Sequence, residues 1–340
     1  MDHPIRREKQ SRLWFLLFLF SVVLILLAAG LLFSLKWGQA QISWSTLFEA
    51  LTYQKQDKAD LYIQTLRLPR TLTACIVGMQ LALAGLLTQL ATRNPLASPH
   101  IFGINAGASL AVVLGLFAVA GLSLTGTVML AFVGAAAGAL LVWSLTGQGG
   151  KQPVRLALAG ITVHFLLSSL TEGLIILNQY STESMMFWLV GSVNQAGWAE
   201  VRMVLPWFAG GLLLLGLLVP SFRLLLLDDE IAAGLGQRIA IIRGTALLLV
   251  IVLAGSSVAI CGPIGFVCLI VPHIARALAG SRLGVLVPLT GLLGGLLLVY
   301  ADLLSRMIAF PFESPVGIVT SAIGAPFFIY LARRKGGAQR

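Results

Sequence analysis

The sequence predicts an all-α polytopic membrane protein with about ten transmembrane helices and both termini in the cytoplasm. Three observations lead there. The 340 residues are 58% hydrophobic and only 11% charged, with a mean hydropathy of +0.92, whereas a soluble globule carries roughly a quarter of its residues charged. Uncharged runs reach the roughly 20 residues that a helix needs to cross a bilayer, and they lack the alternation of barrel strands. Lys and Arg fall unevenly on successive polar segments, as the positive-inside rule requires of an oriented chain.

Residues 1–12 form a basic cytoplasmic tail, and the uncharged run Leu13 to Leu35 is too long for the apolar core of a signal peptide, so it is a retained first span. Residues 36–66 are polar and external, with Trp37 and Trp44 as interface anchors. The second span, Thr71 to Thr92, heads inward and closes at Arg93 and Asn94-Pro95. From Asn94 to Gly150 there is no Asp, Glu, Lys or Arg, which leaves room for spans at about 96–118 and 126–146. Small residues recur within Gly103–Gly107 and Gly134–Gly138, a spacing that brings helix backbones close whether or not a pathway runs there.

Lys151 and Arg155 precede a fifth span at about 156–178, which carries the polar His164, Ser168, Thr171 and Glu172. An external segment, 179–202, and a sixth span, 203–222, come next. Residues 223–243 make the longest internal loop; Asp228, Asp229 and Glu230 suit a helix start, and Gly234 and Gly236 a helix stop, which predicts two short helices. The 32 residues from Gly244 to Ala275 are long for one span and scant for two. Arg333, Arg334, Lys335 and Arg340 place the carboxyl tail, 333–340, inside, so the number of spans is even. A break at Cys261-Gly262-Pro263 therefore gives spans at about 244–260 and 264–280, the latter interrupted near Pro272, followed by 283–301 and 316–332. This arrangement puts 16 of the 23 Lys and Arg inside.

The net charge of +10 is spread along span edges and does not form a nucleic-acid patch. The cysteines at 75, 261 and 268 sit in apolar runs without ligand spacing. The four histidines are scattered, so no metal site, cofactor or catalytic constellation is expected. Two basic residues, Arg67 and Arg70, stand against a span on the side where cations are scarce, and Arg306 stands beside the last external turn. Spacing is compatible with snorkelling at the interface and with a positive rim that receives an acidic protein. Arg306 also lies one helical turn from Asp302, the spacing of a local ion pair.

The runs RLPRTLTACIVGMQLALAG, NPLASPHIFGINAGASLA, GPIGFVCLIVPHIAR and ADLLSRMIAFPFESPVGIVTSAIGAPFFIYLARR resemble the permease subunits of bacterial ABC importers for iron–siderophore complexes, haem and cobalamin, the FecCD-type family. The resemblance extends from about residue 61 to the carboxyl end. It implies one permease domain over residues 1–340 in the bacterial cytoplasmic membrane. The implied partners are a second permease subunit, identical or paralogous, two cytoplasmic ATP-binding subunits and an external substrate-binding protein. Arg67, Arg70 and Arg306 match the family's arginines that receive glutamates of that binding protein. Asp229, Glu230, Ala233, Gly234 and Gly236 match its coupling segment, against a plain solvated loop as the alternative.

Asn94 and Leu96 match a cytoplasmic gate, against a plain turn. Gly160, His164, Ser168 and Thr171 lie at helical spacing on the fifth span, which the resemblance makes a wall of the pathway, although a membrane His also serves as a helix-packing hydrogen-bonder. No Walker-type loop is present, so ATP hydrolysis belongs to a separate subunit and this chain is not an enzyme. The implied cargo is an iron–siderophore or similar metal chelate, with haem or cobalamin as alternatives. An ion-coupled secondary carrier would need an acid near mid-membrane, and the acids here lie at span ends and in loops.

Overall fold

The computed structural model describes residues 3–38, 42–52, 57–119, 121–146, 153–177, 188–227, 234, 238–308, 310 and 312–336. Among these, regular structure is helical throughout: α1 (His3–Lys36), α2 (Trp44–Leu51), α3 (Lys58–Tyr62), α4 (Leu68–Thr92), α5 (Ile104–Ala118), α6 (Leu124–Thr146), α7 (Pro153–Leu177), α8 (Trp198–Phe222), α9 (Ile239–Cys261), α10 (Val267–Ala279), α11 (Leu283–Ile308) and α12 (Val316–Gly336). Seven stretches are long and apolar enough to cross a membrane, and α5, α10 and the apolar part of α12 are shorter companions. Each of the ten predicted spans coincides with one of these helices.

Helix α4 is the axis of the bundle. Apolar and small residues surround it on every side, a pattern that belongs to a helix enclosed by protein, and nearly all of its residues are buried. It packs against α8, α9, α10 and α11, while α5 and α6 pair with each other and lie on α7 and α9, and α1 lies on α11. Between membrane helices the association comes from close packing, since lipid tails are as apolar as Leu. The contacts are accordingly made at small residues. Gly78 of α4 and Gly294 of α11 face each other backbone to backbone, and Gly85 lies against the Cys268 carbonyl of α10. Gly107 and Gly103 face Gly134 and Gly138, the packing that their spacing suggested. Gln80 adds a buried polar clamp, donating to Ser256 Oγ at 3.1 Å and accepting from Ser257 Oγ at 2.9 Å on α9.

In contrast, α1, α7 and α8 keep most of their apolar surface outward, with Phe18, Ile25, Phe165, Leu213 and Leu217 exposed. Such faces suit lipid or a second subunit.

Three boundaries differ from expectation. The segment before the second span is helical: α3, a π-turn at Ile63–Arg67 and α4 run on continuously, so Arg67 and Arg70 lie inside a helix and not at its edge. Pro69 has no N–H to give to the ladder, and the widened turn before it accommodates the ring without ending the helix. The third span starts late. Residues 94–103 form an Asx turn and a 3-10 turn around Pro95 and Pro99, and α5 begins only at Ile104. Finally, α10 passes through Pro272 without interruption. The carbonyl left unpaired by Pro272 is that of Cys268, four residues back, and this is the carbonyl against which Gly85 packs.

This packing makes a paired prediction. A Cβ at Gly85 would overlap the Cys268 backbone, whereas nothing lies within 4 Å of one at Gly173 on α7. Gly85→Ala is expected to lower stability by about 3 kcal/mol or more, and Gly173→Ala to be neutral or to stabilise by up to about 1 kcal/mol. Thermal unfolding of the two purified variants in the same detergent checks the contrast.

Candidate functional site

At one end of the bundle, the π-turn, α4 and α11 bring Arg67, Arg70 and Arg306 together, and all three are buried. Arg67, at the end of the π-turn, donates through Nη1 to the carbonyls of Leu35 at 2.8 Å and Lys36 at 2.7 Å. These are the last carbonyls of α1, which have no intrahelical partner and carry the negative end of the helix dipole. Its guanidinium also stands 5.0 Å from the Tyr62 ring. Arg306 donates to the Ser34 carbonyl at 3.0 Å and to Ser34 Oγ at 3.1 Å, and Ser34 Oγ is 2.8 Å from Thr71 Oγ1. Two arginines from different helices thereby close the end of α1.

Asp302 joins the cluster. It has no exposed side-chain surface and accepts from Arg70 Nε at 3.0 Å and Nη2 at 2.8 Å through Oδ1, and from Arg306 through Oδ2. Arg70 also donates to Asn194 Oδ1 at 3.0 Å and to Glu313 Oε2 at 2.5 Å. Three guanidiniums against two carboxylates leave one positive charge in excess. The Nε of Arg306 is buried without an acceptor among the described residues. A cavity of about 270 Å³ opens here, lined by Tyr62, Arg67, Arg70, Asn194, Arg306 and Glu313. With more donors than acceptors, it is suited to an anionic group.

The opposite end collects Arg12, Arg93, Arg223 and Arg276, by the helices they sit on and their neighbours. Here Arg93 terminates α4 in the left-handed conformation, φ 51°, and donates to the carbonyls of Leu225 and Leu227 in the stretch that follows α8. Asn94 is exposed, and its Oδ1 accepts from the Leu96 N–H at 2.9 Å, which builds the turn. Arg276 donates to Gln89 Oε1, and both line a second cavity of about 300 Å³ with Arg93, Pro95 and Leu225.

The four residues expected along the pathway do not share a surface. Gly160 packs against the Ile101 backbone. Thr171 is buried, with its hydroxyl on the Leu167 carbonyl at 2.8 Å. His164 faces outward, and Ser168 is half-buried between the two. Of the coupling segment, Asp229, Glu230, Ala233 and Gly236 lie outside the described residues, and Gly234 is exposed. No cluster of three His, Cys, Asp or Glu occurs among the described residues.

Sequence reading missed the hub role of Asp302 and the parts of Ser34, Asn194 and Glu313. The Asp302–Arg306 spacing was the one visible signal, because Asn194 and Glu313 meet Arg70 from 124 and 243 residues away.

The geometry gives Asp302 a measurable cost of removal. Asp302→Asn leaves two buried guanidiniums without their shared counter-charge and is expected to destabilise by about 3–5 kcal/mol. Ser34→Ala removes one hydroxyl from the same network and is expected to cost about 1 kcal/mol. Unfolding midpoints of the two variants in detergent test the difference.

Comparison with known proteins places the chain. The model of the FecCD transport family matches residues 24–334. The Fe(3+)-citrate import system permease protein YfmD of Bacillus subtilis (strain 168) is 47% identical over 334 residues, covering 98% of each chain. The Fe(3+) dicitrate transport system permease protein FecD of Escherichia coli (strain K12) is 38% identical over 312 residues, 92% of this chain and 97% of that protein. A solved structure of a metal-chelate type ABC transporter in an inward-facing conformation superposes with a TM-score of 0.82 at 31% identity, covering 93% of this chain and 99% of that one. The chain therefore belongs to the FecCD transport family, as a multi-pass membrane permease subunit of a bacterial ABC importer whose ATPase is a separate subunit.

Proposed function

We propose that the chain, with a second permease subunit, forms the translocation pathway for a ferric chelate of the citrate or siderophore class. The buried, cation-rich cavity at the Arg67 end is the observation that carries this reading. It supplies guanidiniums from two helices to one docking surface, and complementary charge there speeds encounter and fixes register with an acidic partner. Arg67, Arg70 and Arg306 receive carboxylates of an external substrate-binding protein that delivers the chelate. The opposite end, with Arg12, Arg93, Arg223 and Arg276, faces the cytoplasm, as do both termini, in accord with the positive-inside rule. There the loop 223–243 receives the push of two ATP-binding subunits, and the turn at Asn94 and Leu96 gates the exit. His164 and Ser168 contribute to the pathway wall from the outward side of α7. The citrate class is favoured among cargoes by the 47% identity to a permease of an Fe(3+)-citrate import system.

The test is uptake of radiolabelled iron into vesicles that contain the assembled permease, ATPase subunits and binding protein. Ferric citrate, a ferric hydroxamate, a ferric catecholate, haem and cobalamin are offered in turn. ATP-dependent accumulation of a ferric chelate, with haem and cobalamin excluded, is expected. Accumulation without ATP, driven by an ion gradient, would refute the reading.

Coupling is tested separately. Gly236→Val is expected to leave ATP hydrolysis within about twofold of native while uptake falls at least tenfold, on the order expected when a coupling position far from the chemistry is altered. Parallel phosphate-release and uptake measurements decide it.

A further inference from the structure

Arg70 is held by two carboxylates of unlike character. Asp302 grips Nε and Nη2 from within α11 and has no exposed side-chain surface. Glu313 takes Nη1 at 2.5 Å from the segment that follows α11, and its side chain is 21% exposed. Arg70 and Glu313 both line the 270 Å³ cavity. We propose that Glu313 is a displaceable internal ligand of Arg70, filling in the resting chain the place that a carboxylate of the docking protein takes on arrival. This rests on the docking reading given above.

The two ion pairs differ in how easily they part. A fully buried pair is expensive to break, because each charge is left without water. The Arg70–Glu313 pair parts more easily, because Glu313 reaches solvent and regains hydration when it separates, while Arg70 keeps Asp302. Asp302 therefore holds the guanidinium in place while Glu313 is free to leave it. The backbone around Glu313 does not need to move: Ser314 N–H donates to the Ser305 carbonyl at 3.1 Å, and Pro315 is buried at the start of α12. Rotation of one side chain toward solvent suffices.

Charge follows the same course. With Glu313 in place, three arginines face two carboxylates. With Glu313 rotated out, the cavity presents one more uncompensated positive charge, and an incoming carboxylate restores the resting balance. An incoming group must do better than a tethered carboxylate, which discriminates against weakly bound anions and against partners that bring no carboxylate to Arg70. Glu313 thus sets a threshold for docking and keeps Arg70 Nη1 occupied between encounters.

The experiment measures the affinity of the binding protein that supports uptake in the vesicle assay for the full permease–ATPase assembly in lipid discs, at low and high salt. It uses a double-mutant cycle of Glu313→Gln and Arg70→Gln. Glu313→Gln is expected to lower Kd about three- to tenfold in the native background and less than about twofold beside Arg70→Gln, the gain surviving high salt because a contact is screened less than a distant charge. An equal gain in both backgrounds would show a general field effect and overturn the proposal. No gain from Glu313→Gln, with Arg70→Gln weakening binding, would overturn it and leave the docking reading intact. Unchanged affinity in Arg70→Gln would remove the docking reading itself. Should Arg70→Gln fail to assemble, Arg70→Lys serves in the same cycle, since an ammonium keeps the charge but lacks the fork that engages two carboxylates.

Discussion

A carboxylate without exposed surface lies between two guanidiniums, and the Arg67 end of the bundle depends on that neutralisation. Arginine at the margin of a hydrocarbon layer ordinarily extends toward water. Here Arg70 and Arg306 are turned inward because Asp302 offers each of them an oxygen. With their position fixed, the remaining donors reach Ser34 and its carbonyl, Asn194 and Glu313. Four parts of the chain, α1, α4, α11 and the turn at Asn194, are tied through one carboxylate. The cluster retains a positive excess, which on the proposed reading adds a receptive task to its structural one.

Helix α4 carries that arrangement through the membrane. Its 25 residues span about 37 Å at helical rise, more than the roughly 30 Å of a hydrocarbon core. Arg70 stands near one end and Arg93 terminates the other, in contact with the Leu225 and Leu227 carbonyls that follow α8. Between them, Gly78, Gln80 and Gly85 fix α4 to α11, α9 and α10 by backbone proximity and buried hydrogen bonds. Close-packed contacts of this kind transmit displacement instead of absorbing it. A binding protein at Arg70 and an ATPase at the internal loop would, on the proposed reading, act on opposite ends of one stiff element.

The helices were legible because each rests on a run of apolar residues whose length and flanking charges identify it. The α5–α6 glycine pairing was legible for a related reason, since a short turn joins two segments with small residues at matching spacing. Contacts between distant parts of the chain left no such trace. Nothing local to Gly85 announces Cys268, and nothing near Arg70 announces Glu313. The arginine cluster was visible as cations on the side where cations are scarce, but its burial was not, because burial depends on Asp302, whose sign can be read from the sequence and whose depth cannot. Gly160 shares helical spacing with His164 and Ser168, and its missing side chain lets the Ile101 backbone approach, a contact the spacing did not announce.

Irregular backbone inside a membrane has to be enclosed by protein or to face water, because lipid satisfies no hydrogen bonds. Two such breaks lie before short helices among the described residues. Residues 94–103 precede the short α5 at the Arg93 end, and residues 262–266 precede the short α10 near the Asn194 turn, where the Cys261 carbonyl accepts from Ser192 N–H at 2.7 Å. Positive backbone angles mark both, at Arg93 and Gly103 in the first and at Gly262 and Phe266 in the second. Non-glycine residues held in that conformation carry strain that neighbouring packing sustains, and Phe266 is pressed against Gly324 of α12. A pathway that opens alternately to two sides needs a deformable constriction near each. Both breaks depart from straight helix beside α4 without interrupting it, and the first carries the turn at Asn94 and Leu96 that the proposed reading makes a gate.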